Sequence, residues 1–197
     1  MNKENRKLVI SIFVMSAVLI MTASMLAAIF FLKSRADAGH DSEEMAQAIV
    51  ANSHALNSLE WKAIASEKME AGITAEIDER RAEIDEALDF LEQQSGDETM
   101  LTSIRQIFDN YVEATDEEFL LISSGRIPEA LVIDEEEVDP LFERLVKTAA
   151  EISTTNHARA TSDSNMSYYL ISLICLLTIL ITGILLWLYS RVLRRSS

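Results

Sequence analysis

Two apolar stretches frame this chain, and a polar segment with a strong three-and-four-residue rhythm lies between them. Residues 8–32 carry no charge and are bounded by Lys7 and Lys33; residues 168–189 are equally uncharged, after Asp163 and before Arg191. They run about 25 and about 22 residues, and about 20 suffice to cross the hydrocarbon core of a bilayer as a helix. Between them, apolar positions recur in four runs. The first holds Met45, Ile49, Leu56, Leu59 and Ala63; the second Ile73, Ile77, Ile84, Leu88 and Leu91. The third holds Leu101, Ile104, Phe108, Tyr111, Phe119 and Ile122; the fourth Leu131, Val138, Leu141, Phe142, Leu145 and Ile152. This spacing is the stripe of helices packed side by side. The pattern predicts an all-α, membrane-anchored, antiparallel up-down-up-down four-helix bundle, its two transmembrane helices continuous with the outer helices.

Breaks are expected near Gly72, at Ser95-Gly96-Asp97 and at Gly125-Arg126. Ser95 or Asp97 can cap the third helix, and Pro128 suits the first turn of the fourth. Asp139-Pro140 predicts a kink or a late start within the fourth. The outer legs, from Lys33 to about Glu70 and from about Pro128 to Ser167, are each close to 40 residues, about 60 Å as helix. The inner helices are shorter, at about 22 and about 27 residues. A chain that leaves a membrane, returns, leaves and re-enters needs such matched outer legs. The expected division is a tail at 1–7, a span at 8–32, an extracytoplasmic domain at 33–167, a span at 168–190 and a tail at 191–197.

Charge orients the hairpin. Lys3, Arg6 and Lys7 precede the first span, and Arg191, Arg194 and Arg195 follow the second, so the positive-inside rule places both ends in the cytoplasm. Phe30, Phe31, Tyr168 and Tyr169 then fall at the outer interface, and Trp187 and Tyr189 at the inner one. The expected location is a bacterial inner membrane, with the domain periplasmic. Ala36-Asp37-Ala38 has the small-x-small form of a signal-peptide cleavage site, but the apolar stretch before it is far too long for a signal peptide, and Lys33 and Arg35 intervene. The segment 33–167 carries 11 Lys and Arg against 31 Asp and Glu, a balance of −20. That argues against nucleic acid and against anionic headgroups as partners, and reads as solvated helix faces. Cys175, the one cysteine, lies mid-span, so no intrachain disulfide forms.

Candidate chemistry is sparse. His40, His54 and His157 are far apart, no His-Glu-x-x-His occurs, and there is no phosphate loop or nucleophile elbow. No catalytic, cofactor or metal site is expected, and the chain is read as a non-enzyme. His40, Asp41, Glu43 and Glu44 could gather a cation but read as solvent-facing acids. His157 could act as a pH switch but reads as an exposed bystander. Arg80, Arg81, Arg105, Arg126 and Arg144 are scarce cations among many acids, expected in ion pairs along the helices. Ala23-x-x-x-Ala27 and Ser24-x-x-x-Ala28 offer a small-residue face for close helix contact, in keeping with a homodimer.

Three phrases carry a family resemblance: Ser-Leu-Glu-Trp-Lys-Ala-Ile-Ala at 58–65, Leu-Ile-Ser-Ser-Gly-Arg-Ile-Pro-Glu-Ala at 121–130, and Asp-Glu-Glu-Glu-Val-Asp-Pro-Leu-Phe at 134–142. With the overall layout, they resemble the four-helix-bundle sensory domain of methyl-accepting chemotaxis receptors, related to modules that precede bacterial diguanylate cyclases and histidine kinases. The resemblance implies a dimeric sensor of an extracytoplasmic stimulus, a small molecule or a periplasmic binding protein, that relays it by helix displacement. In such receptors arginines at the dimer interface capture carboxylate ligands, but no motif assigns that task to an arginine here, so the ligand-binding residues are unknown. Trp61 reads as a core or dimer-face residue rather than a ligand-stacking one. Receptors of this family usually continue into a HAMP relay and an output domain, which residues 191–197 cannot build. The alternatives are therefore a stand-alone interaction protein acting on full-length receptors, kinases, cyclases or an envelope complex, or a truncated receptor fragment.

Overall fold

Apolar residues at helical spacing, few glycines and two prolines give a chain built of helices. The computed structural model describes residues 3–94 and 98–193, and no strand occurs among them. In order they form α1 (Lys3–Ser66), α2 (Ala71–Gln94), α3 (Glu98–Ser123), α4 (Ile127–Ile133), a π-turn (Asp134–Val138) and α5 (Asp139–Leu193). The expected capping positions Ser95 and Asp97, the break at Gly96 and the tail residues 194–197 lie outside the described residues. The chain divides into two compact units, Ala38–Arg159 and Met1–Asp37 with Ala160–Ser197. Helices α1 and α5 run through both.

The unit Ala38–Arg159 has one apolar core. Ile49, Leu56 and Ala63 from α1, Ile84, Leu88 and Leu91 from α2, Ile104 and Tyr111 from α3, Ala130 from α4 and Leu145 and Ala149 from α5 are all buried in it. The four expected runs supply most of this core. One member departs, Leu131, which is 40% exposed. Trp61, expected in the core or on a dimer face, is 47% exposed and so is not a core residue. Met45, Phe119, Leu141 and Phe142 pack against the core only partly buried.

The turns follow from local chemistry. At the end of α3, Gly125 sits at φ +73°, its N–H donates to Ile122 O at 3.0 Å, and the Arg126 N–H donates to Leu121 O at 2.9 Å. This is the paired closure that satisfies orphan carbonyls at a helix end, and it needs the left-handed backbone that glycine adopts without strain. The end of α1 closes in the same way, with Glu67 N–H to Ile64 O at 3.0 Å and Lys68 N–H to Ala63 O at 3.3 Å. Here the left-handed position is occupied by Glu67, at φ 55°. The break expected near Gly72 therefore falls a few residues earlier, and Gly72 lies inside the first turn of α2. Pro128 stands in the first turn of α4, as its missing N–H favours. The disturbance expected around Asp139-Pro140 takes the form of the π-turn, where the Asp139 N–H donates to Asp134 O, one residue beyond the usual helical partner. Pro140 has no N–H to offer the Glu136 carbonyl, so the regular ladder could not have continued there.

In the second unit, α1 and α5 each contain a stretch long and apolar enough to cross a membrane. None of the first window and 6% of the second is buried, which sets them apart from core helices of a water-soluble domain. Leu19, Phe30, Tyr169 and Ile179 present large apolar surfaces outward. Hydroxyls in these stretches donate to their own helix, Thr22 to Val18 O at 2.6 Å and Thr178 to Ile174 O at 2.8 Å, so no external partner is required. Just outside the first stretch, Arg35 pairs with Asp163 at 3.3 Å. The small residues Ala23, Ser24, Ala27 and Ala28 are all exposed.

Candidate functional site

The core stripe of the unit Ala38–Arg159 is not apolar throughout. On α1 the buried positions Ala46, Ile49, Ser53, Leu56, Glu60 and Ala63 follow one another at alternating steps of three and four. On α3 the same rhythm links Ile104, Phe108, Tyr111, Thr115, Glu118 and Ile122. Glu60 and Glu118 thus occupy core positions, and the helices that carry them cannot turn them outward without turning out their apolar neighbours. The third acid, Asp134, opens the π-turn. Ala130, Asp134 and Val138 recur every four residues, a spacing that drifts off one face of a regular helix of 3.6 residues per turn. The wider π-turn takes up that drift, and all three are buried.

The three carboxylates meet. Glu60 is 1%, Glu118 0% and Asp134 3% exposed, and one oxygen from each lies within 4.8 Å of the others. Their hydrogen bonding is incomplete. The Tyr111 hydroxyl donates to Glu60 Oε1. Glu60 Oε2, Asp134 Oδ1 and both oxygens of Glu118 have no hydrogen-bonding partner among the described residues. Arg81 on α2 lies at the rim: its Nη2 donates to Thr115 Oγ1 at 2.6 Å, its Nη1 donates to Asp116 Oδ1 at 2.7 Å, and its guanidinium stands 5.9 Å from the Phe119 ring centre. The Thr115 hydroxyl in turn donates to Tyr111 O at 2.9 Å.

Burial of three like charges moves their proton affinities. Burial pushes Glu60 up to about 7; the Tyr111 hydrogen bond and the charge of Arg81 oppose that rise, while Asp134 and Asp139 add to it. Glu118 is pushed up to about 8, by burial first and then by Glu60, Asp134 and Asp139. Asp134 rises to about 6 through burial and the charges of Asp139 and Glu135. Burial and the neighbouring Glu60 also hold the Tyr111 phenol well above its ordinary range, so it is a neutral donor. Near neutral pH such a cluster holds protons or a cation, because three uncompensated carboxylates in an apolar core are heavily penalised.

The residues singled out from sequence are placed as follows. Glu43 accepts from or bridges two histidines, with His157 Nδ1 at 3.0 Å and His40 Nδ1 at 3.5 Å. His157 is thus a partner of α1 rather than a bystander, although its side chain is 66% exposed. The hydrogen bond from His157 is the leading reason that Glu43 lies below the usual carboxylate range. Arg80 pairs with Glu83 at 2.9 Å and reaches Asn52 on α1 at 3.3 Å. Arg126 pairs with Glu129. Arg105 on α3 gathers Asp85, Asp89 and Glu92 of α2, and Arg81 pairs with Asp116. These last two arginines pair across helices rather than along them. Arg144 and Cys175 are exposed. The buried acids escape a reading that looks for apolar residues alone; the signal that finds them is the register, since Glu60 and Glu118 continue a three-four rhythm without a gap. No family model, no curated protein and no solved structure matches the chain.

Proposed function

We propose that this chain is a transmembrane sensory module of a bacterial inner membrane, an antiparallel four-helix bundle that meets an extracytoplasmic stimulus and relays it by displacing helices. The observation that carries the reading is that α1 and α5 each combine, in one uninterrupted helix, a stretch able to cross a membrane and a leg lining the buried core. A helix of that kind passes a slide or a rotation along its length, and shifts of about 1–2 Å are the usual size in such relays. The exposed face of Ala23, Ser24, Ala27 and Ala28 supports a homodimer, because small residues let two helices approach closely in lipid. The charge at the two ends of the chain supports cytoplasmic termini.

Crosslinking tests the proposal. Single cysteines at Ala23, Ala27 and Ile179, in a Cys175→Ser background, are oxidised in native membranes before and after two stimuli: a step in external pH from 7.5 to 5.5, and addition of periplasmic extract. A dimeric relay forms crosslinks between copies, with rates that change under at least one stimulus. Absence of crosslinks between copies, or rates unmoved by both, overturns the reading.

A further inference from the structure

We infer that Glu60, Glu118 and Asp134 form a binding site for one hard divalent cation of the Mg²⁺, Ca²⁺ and Mn²⁺ class inside the helical domain. This goes beyond the sensory reading and stands whether or not the chain signals.

Glu118 is the decisive residue. It is fully buried, both of its carboxylate oxygens lack a hydrogen-bonding partner among the described residues, and one of them faces oxygens of Glu60 and Asp134 within 4.8 Å. Neither Glu118 oxygen has a hydrogen-bond donor among the described residues, so both can ligate a cation. Oxygens around Mg²⁺ or Ca²⁺ lie about 2.0–2.6 Å from the metal, so two ligands of one ion stand at most about 4–5 Å apart, and the three carboxylates fall within that limit. The donor type agrees: three carboxylates with a phenol beside them are hard oxygen ligands, which suit Mg²⁺, Ca²⁺ and Mn²⁺ better than softer metals. Charge agrees as well. A dication neutralises two of the three negative charges, and the Arg81 guanidinium, although paired with Asp116, also favours the charged form of Glu60.

The site has the supporting parts expected around a metal. The Tyr111 hydroxyl fixes Glu60 Oε1 and leaves Oε2 to point elsewhere. Arg81 is itself held by Thr115 and Asp116, so it stays at the rim. The π-turn aims Asp134 inward; such widened turns recur where a helix must direct a side chain to a task. The charged and titratable groups acting on the cluster are Arg81 from α2, Tyr111 from α3, Glu135 from the π-turn and Asp139 from α5. A cation that binds a carboxyl holding a proton displaces that proton.

The test uses the full chain in nanodiscs of zwitterionic phosphatidylcholine, stripped with EDTA and then freed of it. Mn²⁺ is titrated at pH 7, with free Mn²⁺ followed by electron paramagnetic resonance and proton release by calorimetry in buffers of different ionisation enthalpy. The expected result is one Mn²⁺ per chain in a saturable class, competed by Ca²⁺ or Mg²⁺, with protons released on binding. Glu118→Gln and Glu60→Gln weaken that class by about tenfold or more, since each removes one ligand charge, and Glu151→Gln, at an exposed position on α5, leaves it unchanged. The inference is overturned by wild-type protein without a saturable class of one Mn²⁺ per chain, or by Glu118→Gln and Glu60→Gln proteins that bind as wild type. Should one variant fail to fold by circular dichroism, the wild-type stoichiometry and the other variant decide.

Discussion

In EDTA, the helical domain should lose stability as pH rises from 5 to 8, and Glu118→Gln should remove much of that loss. The three acids have folded-state proton affinities raised above those of the unfolded chain: Glu60 from 4.5 to about 7, Glu118 from 4.5 to about 8 and Asp134 from 3.8 to about 6. A raised carboxyl contributes stability that is fully present below its unfolded value and is lost as pH climbs through its folded one. The window therefore runs from about pH 5 to about pH 8, with the folded chain shedding protons that the unfolded chain has already lost. For Glu60 alone the rise corresponds to about 3 kcal/mol across the window. The three contributions do not sum, because the first proton bound relieves repulsion on the other two acids. Glu43 has the opposite sign: its affinity is lowered, so its contribution is lost only as pH falls below the ordinary carboxylate range. It leaves the window from 5 to 8 undisturbed.

The measurement is chemical unfolding of the full chain in EDTA, followed by circular dichroism at pH 5, 6, 7 and 8. Wild-type stability should fall across the series. At pH 8 the Glu118→Gln protein should exceed wild type by about 2 kcal/mol, since an amide replaces a buried uncompensated charge. At pH 5, where the wild-type acid is already neutral, the two should agree within about 1 kcal/mol. Wild-type stability that is flat or rises from pH 5 to 8, or a Glu118→Gln protein less stable than wild type at pH 8, refutes the reasoning.

Three further outcomes are expected of the same unfolding assay. Glu67→Gly should stabilise by about 0.5–1 kcal/mol, because Glu67 holds a left-handed backbone at φ 55° that costs a side-chain-bearing residue about 1–2 kcal/mol, part of which returns as the greater freedom of unfolded glycine. A destabilised variant would show that the Glu67 side chain stabilises the end of α1. Arg105→Ala should lose about 1 kcal/mol at low salt and much less at 0.5 M, since Arg105 holds three exposed acids of α2 from a largely buried position; a loss independent of salt would assign its role to packing. Leu88→Ala, at a position 1% exposed, should cost about 2–5 kcal/mol at every pH, and a loss below 1 kcal/mol would mean that the core closes over the missing atoms.

Most of the framework was legible in the sequence, because packing leaves a periodic trace. Every apolar position expected on α2 is buried, and Ile49, Leu56, Leu59 and Ala63 are buried on α1. The misses come from the opposite assumption, that residue type decides exposure. Leu131 is apolar yet exposed, because Ala130 beside it takes the inward position on α4. Trp61 follows Glu60 and turns outward for the same reason: the acid holds the core position. The cluster was hidden because charged residues are rarely buried and because its members come from α1, α3 and the π-turn, far apart in sequence. The pairing of Arg81 and Arg105 across helices was equally out of reach, since it depends on which faces meet. The π-turn left only an oblique sign in Asp139-Pro140, which marks where a regular ladder must fail but not how the chain answers.

The site and the proposed relay meet in the elements that supply the ligands. Glu60 belongs to α1 and Asp134 to the turn that opens α5, and these are the two helices that carry stretches long and apolar enough to cross a membrane. An occupant that draws the carboxylates together acts on both legs at once, whereas deprotonation without a cation drives them apart. The size of any resulting shift is limited by how much better the occupant binds one arrangement than the other. A tenfold difference supplies about 1.4 kcal/mol, within the range of about 1–3 kcal/mol typical of coupling between distant sites. The incomplete hydrogen bonding of Glu118 is therefore the feature that an efficient structural core would have removed, and it is the feature that gives a cation or a change of pH something to act upon. A Glu118→Gln protein that folds more stably at pH 8, yet no longer alters its span-to-span crosslinking when pH changes, would show both roles in one molecule.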